Sequence, residues 1–255
     1  MTQNKLGLPI EYFKFPEFFD EHNIFSDTDI KNAVIANLLR EYEAQTVLDM
    51  TCGTGSQVFF LKERGYKIIG SDFSAPLIDI ARKRAIEKNL DIEFVTGDVR
   101  EIKLGIFDSV ITIFNSIGHL TKPDFNIALQ NIRHNLKKDG IYIFDIINPK
   151  ILTDEILENG IERKVMNEQI NNSQRYKFDG KSNIITCYED VRIQKAKLGA
   201  KKFKNKFSLQ LYEADELKDV LKQNGFEILK QYDTFGEKFE EYYSLNILNV
   251  ARRKE

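Results

Sequence analysis

Residues 46–55 read Thr46-Val47-Leu48-Asp49-Met50-Thr51-Cys52-Gly53-Thr54-Gly55. A short apolar run ends on a carboxylate, passes into a turn with two glycines one residue apart, and gives way to a helical pattern. Glycine in such a turn supplies φ > 0 and lets the backbone approach a bound group closely. The unit is therefore strand, turn and helix, with a nucleotide-like ligand expected against the turn. The dinucleotide fingerprint G-x-G-x-x-G/A wants a small residue where this chain has Val58, and no G-x-x-x-x-G-K-[ST] follows. The ligand expected here needs a close backbone but no pyrophosphate cradle.

The next apolar run, Tyr66 to Asp72, ends on a carboxylate 19 residues after Gly53. At the end of a second parallel strand, such a group accepts from ribose hydroxyls. A third run, Ile92 to Val95, leads to Gly97-Asp98-Val99, where Asp98 can accept from an exocyclic amine. A fourth, Asp108 to Ile113, opens into Phe114-Asn115-Ser116-Ile117-Gly118-His119-Leu120, and a fifth spans Ile141 to Asp145. Between them Gln57–Arg64, Ala75–Lys88 and Pro123–Lys138 read as crossover helices. Strands alternating with helices specify a parallel sheet.

The flanks differ. Residues 1–45 are expected to be helical, with Tyr12, Phe13, Phe15, Phe18 and Phe19 clustered and Ser26 or Thr28 capping a helix over Ile30–Tyr42. After Asn148-Pro149 and a short helix, period-two alternation predicts strands over Ile161–Ile170, Ser173–Asp179, Ile184–Gln194 and Lys201–Tyr212. A helix over Glu213–Asn224, closed by Gly225, and strands over Phe226–Phe235 and Tyr243–Ala251 follow. Residues 1–149 plus 213–255 thus form a core domain, with 1–45 as a helical aromatic cap, and 150–212 form an inserted β-rich lid.

Composition sets few limits. With 255 residues and 42% hydrophobic content, the chain can fill one α/β core with an insertion. A formal net charge of -2 gives no general attraction to nucleic acid or membrane surface. Residues 1–6 lack an apolar signal core and no run spans a bilayer, so a cytoplasmic location and no membrane association are expected. Cys52 and Cys187 do not form a metal-spaced pair, and no metal is expected. Lys202, Lys204 and Lys206 alternate with Phe203, Asn205 and Phe207, which reads as the solvated face of a strand rather than an RNA-docking surface.

In order, Val47-Leu48-Asp49-x-x-Cys52-Gly53-Thr54-Gly55, Gly70-Ser71-Asp72-Phe73-Ser74, Val95-Thr96-Gly97-Asp98, Phe107-Asp108-Ser109-Val110 and Leu136-Lys137-Lys138-Asp139-Gly140 resemble the class I S-adenosylmethionine-dependent methyltransferases. That family usually has Gly-Gly where this chain has Asp139-Gly140. The segment from Val110 to Leu120, with Ala128-Leu129-x-Asn131-Ile132, further resembles glycine N-methyltransferases. The resemblance implies an α/β, Rossmann-like, doubly wound sheet of seven strands carrying an antiparallel β lid. It implies S-adenosyl-L-methionine as cofactor, with S-adenosyl-L-homocysteine as product, and a small-molecule substrate as partner, nucleic acid not being expected. Cofactor contacts are expected at Asp49, Thr51, Gly53, Gly55, Asp72, Phe73, Asp98, Val99, Ile113 and His119. Asp49 has the alternative of fixing the turn itself, Asp98 of capping its loop, and His119 of being a plain turn or core residue. Asn115 falls on a substrate-carboxylate position, or else holds its own turn, and Asn115, His119 and Tyr12 are positioning candidates. The expected reaction is methyl transfer to an amine or amino-acid nitrogen. An O- or S-methyltransferase of a natural product, an RNA methyltransferase and a binding protein without turnover remain open.

Overall fold

The structure, a computed structural model, describes residues 6–23, 27–152, 163–166, 170–195 and 199–254. In chain order the strands are β1 Thr46–Asp49, β2 Lys67–Asp72, β3 Glu93–Thr96, β4 Phe107–Thr112, β5 Leu136–Ile147, β6 Arg163–Met166, β7 Ile170–Asp179, β8 Ile184–Lys195, β9 Gly199–Gln210, β10 Phe226–Tyr232 and β11 Asn246–Arg253. The described helices are α1 Phe19–Asn23, α2 Thr28–Glu41, α3 Ser56–Lys62, α4 Ala75–Glu87, α5 Lys122–Asn135 and α6 Ala214–Gln223, with 3-10 turns at Ile10–Tyr12, Pro16–Phe18, Ser116–His119 and Pro149–Ile151.

Seven strands form one sheet in the order β10-β11-β5-β4-β1-β2-β3. β1 to β5 pair in parallel, while β11 runs antiparallel between β5 and β10. The central strands are apolar on both faces, so both faces need helical cover. Alternate residues divide between two cores. Leu48, Val110, Tyr142 and Phe144 pack with Phe125 and Leu129 of α5 and Leu217 and Leu221 of α6. Val47, Ile111 and Ile143 pack with Ile35 of α2, Val58 of α3 and Ile78 of α4. This is the doubly wound arrangement, and it leaves the C-terminal strand ends open for a ligand.

A separate four-stranded antiparallel sheet, β6-β7-β8-β9, is inserted between β5 and α6. In β8, Ile185, Cys187, Glu189, Val191 and Ile193 are all buried, and the intervening residues from Tyr188 to Arg192 are exposed. Lys202, Lys204 and Lys206 of β9 are exposed and Phe207 is buried, so the lysines do occupy a solvated face.

Several boundaries differ from the sequence expectation, each for a local reason. Ser26 lies outside the described residues. Thr28 is the first residue of α2 rather than its cap, and Asp27, which precedes it, pairs with Lys31 at 2.9 Å. α5 stops at Asn135, because Leu136 already belongs to β5 and the chain turns at Asp139 (φ +60°). The expected strand over 161–170 is instead β6, with Ile170 opening β7; residues 161, 162 and 167–169 lie outside the described residues. β10 ends at Tyr232 because the Asp233 carboxylate accepts from the Phe235 and Glu237 amides and folds the chain back. β11 starts at Asn246, since Tyr243 and Ser244 close a turn on the Glu240 carbonyl.

Candidate active site

The C-terminal ends of β1 to β4 open into a cavity of about 650 Å³, within the usual range for a small-molecule site. Its floor is the glycine turn. Gly53 (φ +53°) and Gly55 (φ +92°) adopt left-handed conformations that side-chain-bearing residues rarely take. A Cβ on Gly53 would lie 2.9 Å from the Phe19 ring. The turn is held by Asp72, whose Oδ2 accepts from the Gly53 amide and Oδ1 from the Ser74 amide, both at 2.9 Å. Cys52 lines the same turn, and a Cβ on Gly70 would meet its Sγ at 3.1 Å. Burial and the nearby Asp49 and Asp72 push its thiol well above the ordinary range, as suits a packing residue and not a nucleophile.

Two carboxylates therefore sit buried on this floor. Burial pushes Asp49 up to about 8, against the Thr51 amide that donates to it at 3.1 Å and with a further push from Asp72. Burial also pushes Asp72 up to about 6, opposed by its two amide donors. No cation pairs with either among the described residues, so the floor has an excess of negative charge. Neighbouring polar atoms lack partners as well: Thr51 Oγ1, Gln57 Oε1 and His119 Nδ1 are buried without a hydrogen bond. Buried polar atoms are normally satisfied. A set of orphans lining one cavity fits a polar, cationic ligand, and an S-adenosylmethionine-type sulfonium carrying an ammonium group has that chemistry.

The walls are aromatic. Tyr12 stacks on Phe73 with centroids 5.9 Å apart, meets Phe19 edge-on at 5.3 Å and lies 5.6 Å from His119. Desolvation raises the Tyr12 phenol far above its ordinary value, with Asp72 and Glu11 adding to the shift, so it stays protonated. His119 sits between Tyr12 and Phe207, and burial lowers it to about 4, making it a neutral imidazole at pH 7. At the far side, Arg100 grips Asp98 through both carboxylate oxygens (Nε–Oδ1 2.9 Å, Nη2–Oδ2 2.5 Å) and reaches Asp124 at 3.0 Å. Burial alone would raise Asp98, but the Arg100 hydrogen bonds and charge outweigh it and hold the carboxyl below its usual range.

The loop after β4 is strained. Phe114 and Asn115 both have positive φ, +59° and +60°, at a cost of roughly 1–2 kcal/mol per residue. Asp145 secures the pair: its Oδ1 accepts from the Asn115 amide at 3.0 Å, and the Phe114 backbone also bonds to it. Asn246 of β11 completes the knot, its Nδ2 donating to Asn115 Oδ1 at 3.0 Å and to Asp145 Oδ2 at 3.2 Å.

Of the residues singled out in the sequence, Tyr12, Asp49, Thr51, Gly53, Asp72, Phe73, Asp98, Val99, Ile113 and His119 line this one cavity. Gly55 lies behind the turn against Phe59, and the Asn115 side chain is taken by Asn246 rather than facing the cavity. Phe19, noted in the sequence only as one of the aromatic cluster, also lines it, as do Leu8, Gln57, Arg100 and Asp124, which sequence reasoning did not pick out. Only Arg100 had a local signal, its charge opposite that of Asp98 two positions earlier. Among the described residues, no group of three His, Cys, Asp or Glu side chains could hold a metal ion. Nor is any described helix long and apolar enough to cross a membrane.

Residues 47–140 match the profile of a family described as a methyltransferase domain. A glycine/sarcosine N-methyltransferase of Aphanothece halophytica is 26% identical over 249 residues, covering 95% of this chain and 90% of that protein. A cypemycin N-terminal methyltransferase of Streptomyces sp is 33% identical over 112 residues, but the match covers only 43% of this chain and 45% of that protein. Among solved structures, an S-adenosylmethionine-dependent methyltransferase from Clostridium acetobutylicum ATCC 824 superimposes with a TM-score of 0.79, at 17% identity, over 95% of this chain and 98% of that one. That likeness extends across the main sheet and the inserted antiparallel sheet, and at this identity it speaks to fold.

Proposed function

Because this chain is a class I S-adenosylmethionine-dependent methyltransferase, carried by its domain at residues 47–140, we propose that it methylates a nitrogen of a small-molecule acceptor. The carrying observation is the pair of buried carboxylates, Asp49 and Asp72, left without a cation on the floor of an aromatic-walled cavity. The cofactor supplies an electrophilic methyl group on a sulfonium. In this reading Asp72 accepts from the ribose hydroxyls while keeping the glycine turn in place, and Asp49 faces the ammonium group. Phe73, Val99 and Ile113 form apolar contacts with the nucleoside, and Asp98, fixed by Arg100, accepts from the base. Tyr12 and His119 close the cavity, and their ring faces favour a nearby positive charge.

The residues at hand suit positioning more than acid–base chemistry. A protonated Tyr12 and a neutral, weakly basic His119 are poor candidates for a general base. A free amine needs none, since it attacks with its lone pair and loses its proton afterwards. Alignment within a water-poor cavity can supply much of the rate. Asn115 acts in this scheme through the shape of the β4 loop. Of the relatives named above, one is described as a glycine/sarcosine N-methyltransferase, which supports nitrogen over oxygen or sulfur. The test is a panel of amines, amino acids, phenols and thiols with a methyl-labelled donor. N-methylated product is expected; turnover confined to phenols or thiols would sink the nitrogen assignment. Absence of donor binding by folded protein at millimolar concentration would sink the methyltransferase reading itself.

A further inference from the structure

The lid sheet buries one carboxylate, and its partners lead to the N-terminal segment. Glu189 of β8 is 1% exposed and shares the buried face of that strand with Ile185, Cys187, Val191 and Ile193. It sits in register between Gln174 of β7 and Asn205 of β9. Its Oε1 accepts from Gln174 Nε2 at 2.9 Å and Asn172 Nδ2 at 3.2 Å. Its Oε2 accepts from Asn205 Nδ2 at 2.6 Å and from the backbone amide of Ile10 at 3.3 Å. All four partners are uncharged donors, three from the lid and one from the segment that precedes α1. Asn205 Nδ2 reaches that segment too, donating to the Leu8 carbonyl at 2.8 Å.

This segment, residues 6–19, is a strap between lid and core. On its outer side the Ser208 amide donates to the Leu6 carbonyl at 2.7 Å, and Ile10, Phe15 and Phe18 pack with Val191 and Ile193 of β8. On its inner side Leu8 and Tyr12 line the cavity, and Ser74, next to Phe73, donates to the Tyr12 carbonyl. Phe19, at its end, fills the space left by Gly53. The residues between Leu8 and Tyr12 thus touch the lid through Glu189 and Asn205 and the cofactor floor through Ser74 and Phe73.

We infer that Glu189 is a positioning residue that couples the lid to the donor site, by holding the strap in the register that places Tyr12 over Phe73. Hydrophobic contact alone tolerates sliding; a carboxylate bonded to two flanking strands and a main-chain amide fixes one position. A donor that binds beneath Tyr12 then also orders the lid, and the lid presents the acceptor only when the donor site is closed. Donor affinity scales with the fraction of molecules in which the strap is seated.

The inference rests on the methyltransferase reading and is tested by calorimetric titration of S-adenosylmethionine into the full chain and its variants. Glu189→Ala is expected to weaken donor binding by about tenfold or more, the loss of one hydrogen bond to a charged group. Should that variant fail to fold, Asn205→Ala removes the Leu8 and Glu189 contacts together and serves in its place. The decisive measurement is a double-mutant cycle with Tyr12→Ala. If Glu189 acts through the strap, its removal costs nothing further once Tyr12 is gone. Unchanged affinity in a folded Glu189→Ala protein, or additive losses across the cycle, overturns the coupling. Failure of the unsubstituted protein to bind would instead strike at the methyltransferase reading.

Discussion

The cavity floor and the lid sheet each bury a carboxylate at 1% exposure, Asp49 in one and Glu189 in the other. They are treated in opposite ways. Glu189 receives four donors from the protein, arranged on two strands and the strap. Asp49 receives one, from Thr51, and is pushed up to about 8. A buried polar group must be satisfied or remain costly. One carboxylate is satisfied within the protein and therefore defines a structure. The other is left short and therefore defines a binding site. Asp72 falls between them: its two amide donors make it part of the glycine turn, yet its carboxyl still lies at about 6.

That intermediate standing predicts the largest effect. Asp72→Ala removes the acceptor of the Gly53 and Ser74 amides as well as the group proposed to meet the ribose. Donor binding is expected to weaken by about 3 kcal/mol, as for loss of hydrogen bonds to a charged group. Calorimetry on the folded variant checks this, and a loss below about 1 kcal/mol would show that Asp72 holds the glycine turn without meeting the ribose.

The second test concerns protons. With Asp49 at about 8 in the ligand-free protein, its carboxyl is mostly protonated at pH 7. A cation bound beside it favours the ionised form and lowers its pKa, so binding releases a proton. Affinity for the donor should therefore rise as pH increases toward 8, by at most about tenfold per pH unit. Titrations in buffers of different ionisation enthalpy measure the released proton directly. Uptake of a proton, or no pH dependence between 6 and 8, would show that Asp49 does not meet the cation. The sign for folding is the reverse. A carboxyl raised in the folded state stabilises it below the unfolded pKa, and that contribution is lost as pH rises through about 8.

The smallest effect lies outside both sites and serves as a control. Asp139 has φ +60° in the turn where the resembling family has glycine. Asp139→Gly is expected to raise stability by about 0.5 kcal/mol by relieving the left-handed residue, with donor affinity unchanged. Thermal unfolding and calorimetry on one preparation read both.

Much of this was legible because the relevant distances are short in sequence. Asp49 and Gly53 share one turn, and Asp72 ends the next strand of a βαβ unit whose geometry is nearly invariant. The lid strands announced themselves by period two, and the same parity marks Glu189 as a carboxylate on an apolar face. Asn115 shows where such reasoning stops. Its type suits an anion site, but its partner is Asn246, 131 residues away, and no local pattern reports that pairing. Boundaries failed for a similar reason. β10 stops at Tyr232 because a single carboxylate, Asp233, captures two amides beyond it, and side-chain capture of the backbone overrides strand propensity.

The place of β11 has a consequence for how the protein comes into being. This strand follows every other element in chain order, yet it is an interior strand, lying between β10 and β5. Asn246, its first residue, also ties the left-handed pair at Phe114 and Asn115 to Asp145. On the ribosome, β1 to β4 and the glycine turn emerge long before that amide does. A nascent chain ending short of residue 246 has the floor of the cavity but not the knot that shapes its β4 wall, and it leaves an edge of β5 unpaired. The fixing of the β4 loop thus arrives late, with the insertion of a single strand.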